Sequence, residues 1–459
     1  MVYRIPPIAV PEENPFANDA LNRADIVNFV AGILSETDGH PLVLAIDSPY
    51  GTGKSTFVDM LGKVLVQQNF QTVYFNAWKA DHVSDPLIAM VAALDSALPT
   101  SATNPASNKM TRVKKVAGIL LKRGAAVGVK IATAGLVDVS DDIEDALSDT
   151  AVDITTDIVD AFEKEEEAAK CFRTELEKVV ATLPAMNKNL TLVFFIDELD
   201  RCRPDFAMSL LERIKHMFDV PNIAFVLAVD KKQLEAVTAA VYGEKIDATE
   251  YLRKFIDLEF GLPSPPKAKF IKNAIKRAGL DEKFNARGND KETIVRFMVV
   301  LVEMYNMSLR AIERCITRLK LVLAGTIAEQ PLDTIHTTLL IVLRSVDKEM
   351  FDKIVFRKIG FTEAMDYFYS LAGGKERLEG AEGTAFEAAL VVGLCSPDEI
   401  RIYRKNEIDI INGEHGSTDE RRQKSQHLLN LVDSFANNVF DRNMMARVAA
   451  TIDIAANVR

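Results

Sequence analysis

The sequence contains few of the residues that build disulfide frameworks and metal clusters. Among its 459 residues are four cysteines, six histidines and one tryptophan. The cysteines lie far apart without a C-x-x-C pair and the histidines are scattered, so neither a disulfide scaffold nor a zinc site is indicated. Basic charge is also in deficit, because the formal net charge is −11. This net charge argues against a chain built mainly to coat nucleic acid, although it is compatible with a local basic patch.

Long hydrophobic runs are missing as well. No uncharged apolar run reaches the length of a membrane span, and the amino terminus is too polar and proline-rich for a secretion signal. Residues 116–137 are rich in Ala, Gly and Val, but three basic residues interrupt them, and each would cost about 2.5–3.5 kcal/mol at a bilayer centre. We therefore expect a cytoplasmic protein in which this stretch is a soluble amphipathic insertion. Contact with a partner or with a membrane surface is compatible with that expectation.

A glycine-rich turn stands between a strand pattern and a helix pattern. Residues 41–46 (PLVLAI) predict a strand, residues 57–65 predict a helix, and Ser48–Ser55 (SPYGTGKS) lies between them. Glycines let several N–H groups point at a phosphate, and the helix amino terminus adds its dipole. The motif G-x-x-x-x-G-K-[S/T] is complete except that Ser48 stands at its first glycine. A chance match in a surface turn is the alternative, which the flanking strand and helix disfavour.

We expect this turn to bind the phosphates of ATP. Lys54 would reach the β- and γ-phosphates and neutralise charge there, while the Ser55 hydroxyl would be a ligand of Mg²⁺. The remaining residues predicted to bind the nucleotide belong to the same turn: Ser48, Tyr50, Gly51, Thr52, Gly53 and Thr56.

A second buried strand ends in an acidic pair. Residues 190–196 (LTLVFFI) are apolar throughout, as in a central parallel strand, and Asp197 and Glu198 follow them. In this position Asp197 would hold Mg²⁺, and Glu198 would polarise the attacking water. Two acids that merely end a strand are the alternative. The long separation of Lys54 from Asp197 also predicts an insertion between them.

Strand and helix patterns alternate along the first 262 residues, which predicts a parallel sheet with helices on both faces. A third apolar run, residues 223–229, ends in Asp230, which either senses the γ-phosphate or simply ends the strand in solvent. We expect an α/β P-loop NTPase fold. The predicted divisions are a core over 1–262 with a helical insertion at about 99–165, a helical lid over 263–345 and a helical C-terminal domain over 346–459.

The acidic strand and several other stretches resemble KAP family P-loop NTPases. The stretches are 197–204 (DELDRCRP), 211–230 (LERIKHMFDVPNIAFVLAVD), 251–255 (YLRKF), 75–78 (FNAW) and 308–314 (SLRAIER). The resemblance covers roughly residues 16–325 and implies an ASCE-type core, with an extra strand between the P-loop strand and the Asp197 strand. Some members hold transmembrane helices in an insertion here, whereas this chain looks like a soluble bacterial version. Bacterial members are associated with phage exclusion and defence, and animal members with signalling scaffolds.

The resemblance also implies roles for individual residues of the acidic strand. Asp197 becomes the metal ligand and Glu198 the catalytic base, with Asp200 competing for the second role. Arg201 would pair with Asp200 and hold the site together.

Three cations and the single tryptophan receive roles by position. Lys254, with Arg253 beside it, falls where related ring ATPases place an arginine finger that acts in trans; a surface cation is the alternative. Arg310 falls where a lid arginine would reach the γ-phosphate, and a salt bridge within the lid is its alternative. Trp78 is expected to be a core anchor beside the site.

Together these features predict an Mg²⁺-dependent ATPase whose nucleotide state drives conformational change or oligomerisation and regulates a partner, in antiphage defence. Turnover is expected to be slow or to depend on the partner. The expected partners are further copies of the chain and a protein effector encoded nearby, whereas nucleic acid is not indicated. The alternatives are a non-hydrolysing, nucleotide-gated scaffold or signalling adaptor and, third, a P-loop kinase.

Overall fold

The chain divides into two compact units. The computed structural model describes residues 5–98, 105–124, 157–186, 188–285, 288–325, 332–413, 418–437 and 444–457. We call one part the sheet unit; it comprises Ala9–Asp19 and Arg23–Ser264. The other part, the helical unit, comprises Met1–Ile8, Ala20–Asn22 and Pro265–Arg459. The predicted subdivision of the helical region at residue 345 stays a prediction.

Within the described ranges of the sheet unit, five parallel strands form one sheet. They are β1 (Leu42–Asp47), β2 (Gln71–Asn76), β3 (Leu192–Asp197), β4 (Ile223–Val229) and β5 (Leu258–Gly261). Their order across the sheet is β2-β3-β4-β1-β5. Because β4 lies between the strand that precedes the glycine-rich turn and the strand that ends in Asp197, the predicted ASCE-type sheet is confirmed.

The register brings the ends of the strands to one edge of the sheet. Asn76 lies opposite Asp197, Asp197 opposite Ala228, and Asp47 opposite Val229. All strands run the same way, so the segments that follow β1, β2, β3 and β4 begin side by side.

Helices cover both faces of the sheet, as a parallel sheet requires. Along β3, Val193 and Phe195 belong to one hydrophobic core, while Phe194 and Ile196 belong to the other. The first core packs helices Ala24–Ser35 and Lys54–Gln67; the second packs Pro86–Ala97, Pro105–Gly124, Asp157–Val180, Pro204–Met217 and Lys231–Tyr242. Short helices Ala77–Ala80 and Ala248–Leu252 and 3-10 turns Pro184–Met186 and Leu199–Arg201 complete the unit.

The described parts of the predicted insertion are helical and belong to the second core. Met110 and Val113 of the first insertion helix are buried together with Phe172 and Leu176 of the second. Residues 125–156 lie outside the described residues, and with them most of the Ala, Gly and Val-rich stretch. Among the helices of the described ranges, none is long and apolar enough to cross a membrane.

The helical unit is built from helices alone within the described ranges, as predicted for the C-terminal region. In chain order they are Lys267–Arg277, Asp281–Asn285, Asp290–Met304, Leu309–Gly325, Thr334–Val346, Lys348–Val355, Phe361–Ser370, Gly374–Leu378, Ala381–Leu394, Pro397–Ile411, Asp419–Asn437 and Met444–Asn457. Helix Thr334–Val346 is central to its main hydrophobic core, because nine of its 13 residues are buried. Asp333 caps this helix by accepting from the His336 N–H.

Candidate active site

The turn between β1 and helix Lys54–Gln67 needs its glycines. Gly51 has φ of 75° and Gly53 has φ of 96°, which is left-handed backbone that other residues adopt only with strain. The helix begins at Lys54, and Ser55 is exposed in its first turn. The free N–H groups of this helix end therefore face the edge of the sheet where the strand ends meet.

Ser48, which stands at the missing first glycine, closes the turn with its side chain. The buried Ser48 hydroxyl donates to Thr52 Oγ1 at 2.6 Å, and the Thr52 hydroxyl donates to the Pro49 carbonyl oxygen at 2.7 Å. The backbone N–H of Ser48 donates to the Val229 carbonyl oxygen at 3.1 Å. A serine is therefore accommodated here and links the two ends of the turn.

Lys54 is a buried cation held among oxygen atoms. Its Nζ donates to the Ser48 carbonyl oxygen and lies 3.8 Å from Asp200 Oδ2. Burial lowers the pKa of Lys54 below its ordinary value, while the carboxylates of Asp200, Asp230, Asp197 and Asp47 oppose that shift. The neighbouring oxygen atoms therefore compensate only part of the hydration that the Lys54 ammonium group loses on burial. A bound phosphate would supply further negative charge at this position.

Asp197 ends β3 with both carboxylate oxygens engaged. Oδ2 accepts from the Tyr74 hydroxyl at 2.9 Å, and Oδ1 accepts from the Glu198 N–H at 2.9 Å. Burial and the neighbouring Asp197 charge raise the pKa of the Tyr74 hydroxyl, so Tyr74 is a neutral hydrogen-bond donor at any physiological pH. The Tyr74 side chain is itself largely exposed.

Glu198 adopts a strained backbone and is held from two sides. Its φ of 62° is left-handed, a conformation that typically costs a non-glycine residue about 1–3 kcal/mol and clusters at functional sites. Arg201 Nη1 donates to Glu198 Oε1 at 2.5 Å, and Asn76 Nδ2 donates to Oε2 at 3.0 Å. The expected pairing of Arg201 with Asp200 is therefore wrong, because Arg201 binds Glu198 instead.

Asp200 and Asp230 are two buried aspartates beside Lys54. Asp200 Oδ2 accepts from the Asp230 N–H at 2.8 Å, and both carboxylates are buried. Burial raises the pKa of Asp200, and Lys54 opposes this shift. Asp200 thus ties the end of β4 to Lys54. Because Asp230 is buried, the alternative of a solvated aspartate at the strand end does not describe it.

Two aromatic rings lie against the Arg201 guanidinium. Its Cζ is 4.7 Å from the centroid of Tyr50 and 5.8 Å from that of Trp78, and Lys54 Nζ is 5.2 Å from the same Tyr50 ring. Trp78 is 52% exposed. The expectation of a core anchor is wrong, because the indole stacks on a cation at the surface instead of filling the core.

The two cations predicted to act in trans lie on the surface. Arg253 Nη1 bonds Glu250 Oε2 at 2.7 Å, and Lys254 Nζ lies 4.8 Å from the Tyr251 ring centroid. Both residues are exposed, so both are accessible to another molecule. Their contact with nucleotide stays a prediction.

Arg310 lies in the helical unit and is exposed on helix Leu309–Gly325. Glu313 pairs with Arg277 at 2.8 Å, and Glu303 pairs with Arg377. The two lid glutamates that could neutralise Arg310 are therefore used elsewhere in the described chain. A contact of Arg310 with the γ-phosphate stays a prediction.

The sequence did not predict three residues of the site: Tyr74, Asn76 and Arg23. Asn76 belongs to the FNAW stretch that carries the family resemblance, so a signal for it existed. Tyr74 alternates with buried β2 residues and reads as an outward side chain. Arg23 is fully buried and bonds the carbonyl oxygens of Thr52 and Pro263, which no local pattern indicates.

The side chains at this edge suit a nucleotide and Mg²⁺. The turn offers backbone N–H groups and one ammonium, which complement phosphate charge. The Ser55 hydroxyl and the Asp197 carboxylate are hard oxygen ligands of the kind that Mg²⁺ prefers. A glycine-rich turn after β1, followed by a lysine, and an aspartate at the end of β3, which β4 separates from β1, define the chain as a P-loop NTPase.

The comparisons with known proteins identify the family. The protein-family model described as "KAP family P-loop domain" matches residues 23–325, and the chain belongs to this family. A search of curated proteins found no significant match. Among solved structures, the chain is similar to one titled "Structure of the Aeropyrum Pernix ORC2 protein (ADPNP-ADP complexes)", with 13% identity, 95% of this chain and 93% of that chain covered, and a TM-score of 0.34. A likeness of that size carries no argument about function.

Proposed function

We propose that the chain is an ATPase that binds ATP with Mg²⁺ and hydrolyses it at the edge of the sheet. The observation that carries this proposal is the 3.8 Å approach of Lys54 Nζ to Asp200 Oδ2. It joins the glycine-rich turn to the acidic segment after β3, so the two halves of the motif belong to one site. Family membership supports the same conclusion.

Each residue has a physical task in the proposed reaction. Lys54 exchanges the Ser48 carbonyl oxygen for phosphate oxygens and neutralises charge that develops during transfer. Ser55 and Asp197 hold Mg²⁺, which neutralises and orients the phosphates when bound. Glu198 orients and polarises the attacking water with the acceptor capacity that its two present donors leave open.

Two substitutions separate binding from hydrolysis. Lys54→Ala should abolish nucleotide binding, whereas Glu198→Gln should keep the affinity for ATP and lower turnover by about 100-fold or more. The matched control is Lys63→Ala, which removes a lysine from the same helix away from its amino terminus and should retain both properties. Purified wild-type protein that releases no phosphate with Mg²⁺, alone or with its partner, would contradict the ATPase proposal.

The biological role forms the second part of the proposal: ATP drives oligomerisation and regulates a partner encoded nearby, in antiphage defence. Exposed Arg253 and Lys254 support it, because a neighbouring copy could use either cation. In light scattering, Glu198→Gln with ATP should form larger particles than with ADP. Substituting both cations by Ala should prevent turnover while nucleotide affinity persists. Plaque counts that are equal for wild type and Lys54→Ala would refute the defence role.

One observation favours a second candidate, a nucleotide-gated scaffold without turnover. Both carboxylate oxygens of Glu198 accept hydrogen bonds, from Arg201 and Asn76, so the base is restrained. In this case wild type and Glu198→Gln bind ATP and the partner equally, and neither releases phosphate. If wild type releases phosphate and Glu198→Gln does not, the chain is an ATPase and the scaffold proposal fails.

A further inference from the structure

The phosphate-binding turn departs from its motif in one place and is anchored in another. Ser48 replaces the first glycine, and Arg23, which lies far upstream, approaches the turn from outside it. Neither residue has a task in the reaction proposed above.

Arg23 is an unusual buried cation. Its side chain is 0% exposed, Nη1 donates to the Pro263 carbonyl oxygen at 2.8 Å, and Nη2 donates to the Thr52 carbonyl oxygen at 3.3 Å. Among the described residues, none forms a hydrogen bond with its buried Nε. Burial lowers the pKa of Arg23 and Asp19 opposes this shift, but a guanidinium stays charged at any physiological pH. Such a cation is costly to bury, which calls for a reason.

Thr52 receives contacts from both sides of the turn. Its hydroxyl accepts from the Ser48 hydroxyl and donates to the Pro49 carbonyl oxygen, while its own carbonyl oxygen accepts from Arg23. Ser48 thus holds the Thr52 side chain, and Arg23 holds the Thr52 backbone.

The held carbonyl determines where the next N–H points. In a trans peptide the C=O of Thr52 and the N–H of Gly53 point in opposite directions. A carbonyl fixed toward Arg23 therefore aims the Gly53 N–H away from Arg23, on the side where the turn binds phosphate. Gly53 rotates with little steric cost, so without an anchor this peptide could flip and present its oxygen to the phosphates.

We propose that Arg23 and Ser48 are positioning residues that hold the Thr52–Gly53 peptide in its phosphate-binding orientation before nucleotide arrives. The two contacts take over the ordering of a turn that lacks the first glycine of the motif. This inference rests on the proposed nucleotide binding, and it assigns the ordering of the turn to side chains outside the motif's glycines and lysine.

The test uses nucleotide-free protein first. Hydrogen exchange, read by mass spectrometry, is compared for peptides that cover residues 48–57 in wild type, Arg23→Met and Arg23→Lys. Met keeps the length of the side chain without its donors, so exchange in this peptide should rise by about fivefold or more. Lys keeps the charge and a donor for the Thr52 oxygen, so it should restore most of the protection.

Nucleotide binding and turnover provide the second readout on the same variants. Arg23→Met should weaken the affinity for a fluorescent ADP by about tenfold and raise KM similarly, with kcat at saturation within about twofold of wild type. Arg213→Met is the matched control, because Arg213 Nε is also buried without a partner in the described part of the chain, while its Nη2 bonds Asp85 at 2.7 Å. It should leave the turn and the affinity unchanged.

Ser48 provides variants that fold even if Arg23→Met does not. Ser48→Ala removes the contact with Thr52 at little cost in volume, and Ser48→Gly restores the residue of the motif; both should increase exchange in residues 48–57 and weaken ADP binding. Unchanged exchange in the Ser48 and Arg23 variants overturns the inference, as does an equal loss in Arg213→Met. If wild type bound no nucleotide, the proposed function would fail, and the exchange data would still decide whether these residues order the turn.

Discussion

The side-chain amide of Asn76 donates to Glu198 Oε2 at 3.0 Å, and its orientation is fixed by a second contact. The Asn76 oxygen caps helix Ala77–Ala80 by accepting from the Lys79 N–H at 2.9 Å, which leaves only the NH₂ group for Glu198. With Arg201 on the other carboxylate oxygen, Glu198 is held by one neutral and one charged donor. The two donors therefore restrain the proposed base and compete with the attacking water for its oxygens.

Asn76→Asp should release Glu198 and retain the helix cap. Aspartate is as good a cap as asparagine, but it cannot donate to Glu198, and its carboxylate repels that of Glu198. We expect basal kcat for ATP to rise by about three- to tenfold, with nucleotide affinity within about twofold of wild type. Steady-state phosphate release and ADP titration measure the two quantities.

Asn76→Ser separates the two effects of that substitution. Serine also caps a helix, but it removes the donor to Glu198 without adding charge, so a smaller rise in kcat is expected. A fall in kcat in both variants would show that Asn76 holds Glu198 in its working position, contrary to our interpretation.

Tyr74→Phe should lower the Mg²⁺ concentration that the protein needs for turnover. The Tyr74 hydroxyl occupies Asp197 Oδ2 at 2.9 Å, and a metal ligand must give up such a bond or share the oxygen. Removing the hydroxyl frees a lone pair, so the Mg²⁺ concentration for half-maximal turnover should fall by about two- to fivefold.

The ring of Tyr74 is 56% exposed, so thermal stability should hardly change in this variant. An unchanged or higher half-maximal Mg²⁺ concentration would show that Asp197 does not bind the metal through this oxygen.

Nucleotide affinity should decline at alkaline pH earlier than for an ordinary lysine. Burial lowers the pKa of Lys54, and a bound phosphate favours its charged form, so the pKa in the complex is higher than in the free protein. Affinity is full below the pKa of the free protein and falls as pH rises through it, because binding must then take up a proton. ADP titrations from about pH 8 to 10, where the phosphates hold a constant charge, measure the decline.

Lys54→Arg gives the control for this pH dependence. Arginine keeps its charge throughout the range, so the weaker affinity of this variant should be flat with pH. A parallel decline in both proteins would assign the titration to another group.

Two glycine-to-alanine substitutions should have opposite effects on stability. A Cβ on Gly393 would lie 2.7 Å from His336 Nε2 and 3.0 Å from Met445 Cε. His336 cannot easily yield, since its two ring nitrogens contact Asp333 Oδ2 at 2.5 Å and the Ala389 carbonyl oxygen at 2.9 Å. Overpacking should exceed the gain in helix propensity and cost about 1–3 kcal/mol of unfolding free energy.

Gly32→Ala is the matched control in helix Ala24–Ser35. A Cβ on Gly32 meets no atom of the described residues within 4 Å, so helix propensity alone should act and stabilise by about 0.5–1 kcal/mol. Thermal unfolding of both variants measures whether each one is more or less stable than wild type. Equal shifts would show that His336 and Met445 move aside readily.

Local patterns predicted the elements of the sheet unit because strands that are buried on both faces leave continuous apolar runs. The runs that end in Asp197 and Asp230 became β3 and β4, and SPYGTGKS became the turn after β1. Local patterns did not predict which aromatic side chains are exposed or what they contact. Trp78, expected to be a core anchor, stacks instead on Arg201, a residue distant in sequence.

Local composition and spacing were enough to predict the parallel sheet, the glycine-rich turn, the acidic strand end and the helical second half. The folded arrangement alone set the partners of the charged groups. It paired Glu198 with Asn76 and Arg201, joined Lys54 to Asp200, and brought Arg23 to the Thr52 carbonyl oxygen. Such pairings depend on strand order and register, which place residues far apart in the chain within a few ångströms of each other.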